Sequence, residues 1–133
     1  MLGAESCADT NIFLYLISSD FRKAERAQEI VNSGPVASVQ ALNEFVSVAV
    51  RKYKMPLFKV RTALTPVITF CRITAIDMAT HLRAFDIAER NEINIYDSLM
   101  IAAAELAGCR WFLTEDLNHG QRIGGVIIRN PFL

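Results

Sequence analysis

Short apolar segments of strand character alternate with longer segments of helical period along this chain, and two of the short ones lead straight into acids. Ala4 to Ala8 reads as a first strand ending beside Asp9, and Arg110 to Thr114 (RWFLT) as a late strand with Asp116 two residues on. Between them the pattern predicts a helix over 11–17, then a helix from Phe21 to Val31. Ser19 and Asp20 are available to cap that second helix, and Gly34 and Pro35 close it. Val36 to Ser38 is a brief strand. Ser38 can cap the next helix, Val39 to Tyr53, whose Leu42, Phe45, Val46 and Ala49 fall on one stripe. Pro56 separates it from a helix over 57–70, which Pro66 is expected to kink or end. Arg72 to Thr74 is a strand, and Asp77 caps a helix running to about Arg90. Ile95 to Ala107 is helical with Gly108 behind it, and the Gly124–Gly125 turn introduces a last strand, Val126 to Arg129. Alternation of this kind predicts the α/β class: one domain, a central parallel sheet, and helices on both faces.

A chain of 133 residues is long enough for one domain that buries roughly two-thirds of its unfolded surface, so no disulfide or structural metal is needed. Hydrophobic residues make up 52% and mean hydropathy is +0.25, yet no apolar run approaches the roughly 20 residues a membrane span requires. The apolar surplus is expected to be covered by another protein, either a second copy or a dedicated partner. Cys7, Cys71 and Cys109 are widely spaced without a metal or redox motif, and read as small apolar fillers. The segment MLGAESCADTN lacks a basic stretch followed by an apolar one, so the expected location is the cytoplasm. Charge is balanced, 14 basic residues against 14 acidic, which argues against non-specific grip on long duplexes.

Four acids occupy telling places. In an open parallel sheet ligands bind at the carboxyl ends of strands, where the winding reverses. Asp9 and Asp116 would meet there if their strands are neighbours. Glu44 lies near the second turn of its helix and Asp97 in the first turn of its own, and both helices would begin beside strand ends. Each acid also has an ordinary explanation: helix cap for Asp9, helix-dipole partner for Asp97, turn residue for Asp116, solvated side chain for Glu44. Together they are harder to dismiss, because Asp9 and Asp97 sit in apolar surroundings. Two like charges about 4 Å apart repel by about 4 kcal/mol at an effective dielectric of 20, so four converging acids call for a cation. Carboxylate oxygens suit Mg²⁺ or Mn²⁺, and an acidic cleft holding such an ion suits phosphodiester hydrolysis.

The Asp9-Thr10-Asn11 turn, Glu44, Tyr96-Asp97-Ser98 opening an alanine-rich helix, and Thr114-Glu115-Asp116 after an apolar strand resemble the PIN domain over nearly the whole chain. The tail LTEDLNHGQRIGGVIIRNPF resembles VapC-type toxins of toxin–antitoxin pairs. The resemblance implies a Rossmann-like PIN fold spanning 1–133, Mg²⁺- or Mn²⁺-dependent endoribonuclease activity, a homodimer, and inhibition by a cognate VapB-type antitoxin. It implies Asp9 and Asp97 as principal metal ligands, with Glu44 and Asp116 completing the acidic pocket. Thr114 would position Asp116 or a phosphate, and Asn11 would orient Asp9. Two departures from the family stand out: the first strand is less apolar (GAESCA), and Asn118 replaces a further acid that some relatives carry.

Arg51, Lys52 and Lys54 at one helix end, and Arg122 beyond the acidic loop, are the candidate RNA contacts. His81 reads as a surface or interface residue and His119 as a loop residue. Competing readings are a catalytically idle PIN module and a deoxyribonuclease with the same pocket. A phosphate-accepting receiver domain is a third, although the lysine and paired acids it requires are not visible.

Overall fold

Residues 3–133 are described by the computed structural model. The chain forms β1 (Ser6–Ala8), α1 (Thr10–Leu14) with a 3₁₀ turn (Tyr15–Ile17), α2 (Phe21–Asn32) and β2 (Val36–Ser38). Next come α3 (Val39–Arg51), α4 (Leu57–Phe70), β3 (Arg72–Thr74), α5 (Met78–Asn91) and α6 (Ile95–Leu106). β4 (Trp111–Leu113), β5 (Arg122–Ile123) and β6 (Val126–Arg129) complete the sheet. Caps set most of these starts: Asp20 accepts from Lys23 N, Ser38 from Ala41 N, and Asp77 forms a reciprocal capping box with Thr80.

The strand order is β3-β2-β1-β4-β6-β5, parallel except for the β5–β6 hairpin. From β1 the chain winds outward through β2 to β3, then returns to lay β4 on the other side of β1. The reversal therefore lies between β1 and β4, as the acid-tipped strands require. Ala8 pairs with Leu113, so Asp9 and Thr114 emerge together at the carboxyl rim, and Asp9 N donates to Leu113 O at 2.9 Å. Every residue of β1 and β2 is buried. Because successive side chains point to opposite faces, both faces of the central strands are covered.

Four expectations need correction. β1 is three residues long, because Gly3 to Glu5 is spent on a turn closed by Ser6 N donating to Gly3 O. The first helix breaks into one α turn and one 3₁₀ turn, and α3 stops at Arg51, with Lys54 at φ 55° turning the chain toward α4. α4 runs through Pro66 to Phe70. The carbonyl that proline leaves unpaired, Thr62 O, lies on the exposed side, where water can serve it. One strand carried no expectation: β5 is an antiparallel edge strand too short to show a period in sequence.

Candidate active site

Asp9 caps α1 and is 5% exposed. Its Oδ1 accepts from Thr10 N at 2.6 Å and its Oδ2 from the Thr114 hydroxyl at 2.7 Å. Burial lifts its carboxyl from 3.8 to about 7; the Asp97 and Asp116 charges push the same way, while the Thr114 and Thr10 bonds oppose. Thr114, wholly buried, is the hub between strands. Besides donating to Asp9, its oxygen accepts from Asp116 N at 3.0 Å and from Asn11 Nδ2 at 3.4 Å.

Asn11 holds the other acid. Its amide donates to Asp116 Oδ2 at 2.7 Å. Asn11 does not orient Asp9 by a direct bond: its amide goes to Asp116 and Thr114, and the Asp9 oxygens accept from Thr10 N and Thr114 instead. Asn11 Oδ1 is buried without a partner. Asp97 sits in the first turn of α6, where Asn94 holds it twice: Asn94 Oδ1 accepts from Asp97 N and Asn94 Nδ2 donates to Asp97 Oδ2, each at 2.8 Å. Burial raises the Asp97 carboxyl, the Asn94 bond lowers it, and the Asp116 charge raises it. Glu44 is raised by burial and then by Asp97. The Thr10 hydroxyl donates to Glu44 Oε2 at 3.5 Å. All four acids are thus electrostatically joined: Asp9 to Asp97 and Asp116, Asp97 to Asp116, and Glu44 to Asp97.

Reasoning on sequence alone assigned nothing to Thr10, Asn94 or Glu115. Glu115 is gripped by Tyr15 OH and by Lys23 Nζ, the latter at 2.9 Å, and this grip fixes the loop that carries Asp116. A cap-forming residue three before an acid in the first turn of a helix, as Asn94 is to Asp97, was the available signal for the second.

The donor set is all oxygen, which suits a hard divalent cation. Among the described residues no three His, Cys, Asp or Glu side chains gather round one point. The residues therefore fit an ion that takes one or two carboxylates and keeps its waters, the habit of Mg²⁺ rather than of a caged structural metal. The three cysteines are buried and free, with burial raising each thiol, Cys71 to about 12, as fillers should be.

Of the expected basic contacts, Arg51 lies two helical turns from Glu44 on the same face of α3. It lines a cavity of about 410 Å³ with Gln40, Asn43, Glu44 and Tyr96. Lys52 and Lys54 are exposed beyond it, Lys52 with its ammonium 5.7 Å from the Tyr53 ring centre. Arg122 is not brought to the acids: it stands in the outermost strand, level with Ile127 and hence with Trp111, at the start of β4 rather than its end. His119 accepts from Asn130 N at 3.0 Å, a loop-fixing role, and exposed His81 packs edge-on to Phe85.

The fold matches solved structures of similar size. A toxin–antitoxin complex from Klebsiella pneumoniae superposes with TM-score 0.70 at 21% identity, covering 95% of this chain and 97% of that one. DNA-bound VapBC from Salmonella typhimurium gives 0.67 at 18% identity, over 98% and 99%. VapC20 of Mycobacterium tuberculosis, a sarcin-ricin loop cleaving toxin, gives 0.66 at 15%, over 80% and 86%. No curated protein matches the sequence. The PIN domain family model matches residues 6–123, and with the acids of that span set at the carboxyl rim around Asp9 and Asp97, the chain belongs to the PIN-domain family.

Proposed function

We propose that this chain is a Mg²⁺- or Mn²⁺-dependent endoribonuclease, the toxin of a toxin–antitoxin pair. One observation carries the reading: Asp9, buried and raised to about 7, is held in place by Thr10 and Thr114 while Asp97 and Asp116 press on it. A fold gains nothing in stability from that arrangement. Acids kept together at such a cost serve a cation and, through it, a phosphate.

Asp9 and Asp97 would hold the ion, with Glu44 and Asp116 bonded to its waters. Bound there, it would acidify a water and offset charge on the phosphate oxygens. The chain's own residues supply position. Thr114 keeps Asp9 and the Asp116 backbone at one spacing, Asn11 aims the Asp116 carboxylate, and Asn94 aims that of Asp97. An intact acid set weighs against an idle module. The choice of RNA over DNA rests on the family resemblance and on relatives such as the sarcin-ricin loop cleaving toxin.

An antitoxin partner is supported by the neighbours solved as toxin–antitoxin complexes. A homodimer is supported by an apolar stripe left open on α5, where Met78, Leu82 and Phe85 recur at helical spacing and are 67%, 59% and 49% exposed. No helix among the described residues is long and apolar enough to cross a membrane, and cytoplasmic action is part of the proposal.

The test is cleavage of matched RNA and DNA oligonucleotides with Mg²⁺, with Mn²⁺ and with EDTA, by the parent and by Asp9→Asn and Asp97→Asn. RNA cleavage by the parent, abolished by EDTA and by either substitution while far-UV circular dichroism is unchanged, is the expected result. Cleavage that survives both substitutions refutes the assignment, and cleavage of DNA alone refutes the choice of substrate.

A further inference from the structure

Everything that follows β1, β4 and β6 emerges on the same rim as the acids, and a second feature is built there. α2 leads down to the start of β2, so its first turn lies at the carboxyl rim. Pro131 and Phe132, which follow β6, come to the same place. Between them is a cavity of about 400 Å³ lined by Asp20, Arg22, Lys23, Arg26, Pro131 and Phe132. Three cations and one carboxylate line it, and although Lys23 is paired with Glu115 at 2.9 Å and Arg26 with Glu29 at 3.1 Å, the third cation is not so engaged. Arg22 is exposed and makes no ion pair among the described residues, so its charge is available to a ligand. Arg26 is held by Pro131 O at 3.0 Å, and Lys23 lies 5.3 Å from the Phe132 ring centre.

This cavity is connected to the acids. Lys23 bonds Glu115, the neighbour of Asp116, and Tyr15, whose ring meets Phe132 edge-on at 5.1 Å. Tyr15 also lines a smaller hollow of about 150 Å³ together with Asn11, the residue that holds Asp116. The two hollows therefore adjoin through the contacts of Tyr15 with Lys23 and Phe132, between Asp116 on one side and Arg22 and Arg26 on the other. Cations set beside aromatic rings are what single-stranded nucleic acid requires, the charges for phosphates and the rings for bases.

We propose that the Arg22–Lys23–Arg26 cavity is a subsite for single-stranded RNA, taking the backbone phosphate of a nucleotide beyond the one being cut. The inference rests on the ribonuclease reading for its substrate, but not for its binding test. A fluorescein-labelled RNA of about ten nucleotides, bound by the full-length protein in EDTA so that nothing is cleaved, is titrated by anisotropy over a range of salt. Arg22→Glu, which breaks no side-chain hydrogen bond or ion pair among the described residues, should weaken binding about tenfold and flatten the plot of log affinity against log salt by about one unit. Arg90→Glu, the same charge change on the exposed end of α5, should do neither. On long RNA with Mg²⁺, Arg22→Glu should raise KM and leave kcat alone.

Unchanged affinity and slope for Arg22→Glu overturn the subsite, even if the parent cleaves RNA well. Equal losses in Arg22→Glu and Arg90→Glu also overturn it, because net charge alone would then explain binding. If RNA binding holds while Arg22→Glu loses a co-expressed acidic protein partner, the cavity belongs to that partner and the inference is wrong. A parent that binds RNA through Arg22 yet cuts none leaves the subsite standing and removes the proposed activity instead.

Discussion

Replacing Asp9 by asparagine should make the metal-free protein more stable. The native fold holds this carboxyl at about 7 against 3.8 when free, roughly three pKa units. At about 1.36 kcal/mol per unit, ionised Asp9 costs the fold about 4 kcal/mol at most at high pH. Asparagine keeps the bond from Thr10 N but offers an N–H where Thr114 now donates, so about 1–2 kcal/mol is lost to rearranging that bond. The net gain is about 2–3 kcal/mol, or about 6–12 °C in Tm for a chain of this length. The sign with pH follows from the raised value. Below about pH 4 the carboxyl is protonated in both folded and unfolded chains and costs nothing. The cost grows as pH rises through the interval up to about 7 and is complete above it. Thermal melts of parent and Asp9→Asn in EDTA should therefore diverge between pH 4 and pH 8, with the variant higher at pH 8. A variant that melts lower at pH 8, or a difference that does not change with pH, refutes the view that burial and neighbouring acids strain this site.

Added Mg²⁺ or Mn²⁺ should raise the parent's Tm by mass action, about 2.7 kcal/mol at a hundredfold excess over Kd, and should leave Asp97→Asn almost unmoved; equal shifts in the two would place the ion elsewhere. Thr114→Val removes the hydroxyl shared by Asp9 and the Asp116 backbone, so kcat on RNA should fall about 10- to 100-fold with KM little changed; a change confined to KM would contradict a positioning role. Glu105→Gln should cost about 1–2 kcal/mol in urea melts at pH 7, because Glu105 accepts from Arg83 at 2.7 and 3.0 Å and from Gly125 N at 2.8 Å. The Arg83 bonds hold the Glu105 carboxyl below 4.5, so this contribution is present above that pH and fades as pH falls through the lowered value. A penalty that persists undiminished at pH 3 would assign it to packing against the Gly124–Gly125 turn.

Local chemistry made the fold legible. Ser38, Asp20 and Asp77 are short polar residues directly ahead of helical periods, and each accepts the backbone bond its place predicts. Gly108 supplies the positive φ that ends α6, and strand-helix alternation made the sheet parallel. The positions of the acids were legible in the same way, since Asp9 and Asp116 follow strands directly or closely and Asp97 and Glu44 lie in the first two turns of their helices. What could not be read depends on long-range register. Asn11 serves Asp116 rather than Asp9 because residues 105 positions apart are brought together when Ala8 pairs with Leu113. No local pattern encodes that choice. Arg22 and Arg26 were missed because a helix such as FRKAER reads as an ordinary solvated face until Phe132 is folded against it.

The balance of charge also shows why a cationic cavity belongs near such acids. An RNA phosphate approaching Asp9, Glu44, Asp97 and Asp116 meets repulsion, and a chain with 14 bases against 14 acids has no overall field to overcome it. A divalent ion can offset repulsion at the acids themselves, but it holds one phosphate and gives the rest of the strand no direction. Cations on the same rim, tied to the acidic loop through Lys23 and Glu115, would supply that direction. The two roles differ in their response to salt. Binding through Arg22 and Arg26 should weaken steeply as salt rises, through counterion release, whereas the kcat of RNA already bound, set by the buried Asp9–Thr114 pair, should hardly change. A kcat that falls with salt as steeply as affinity does would mean that the acids and the cations do not act as separate parts.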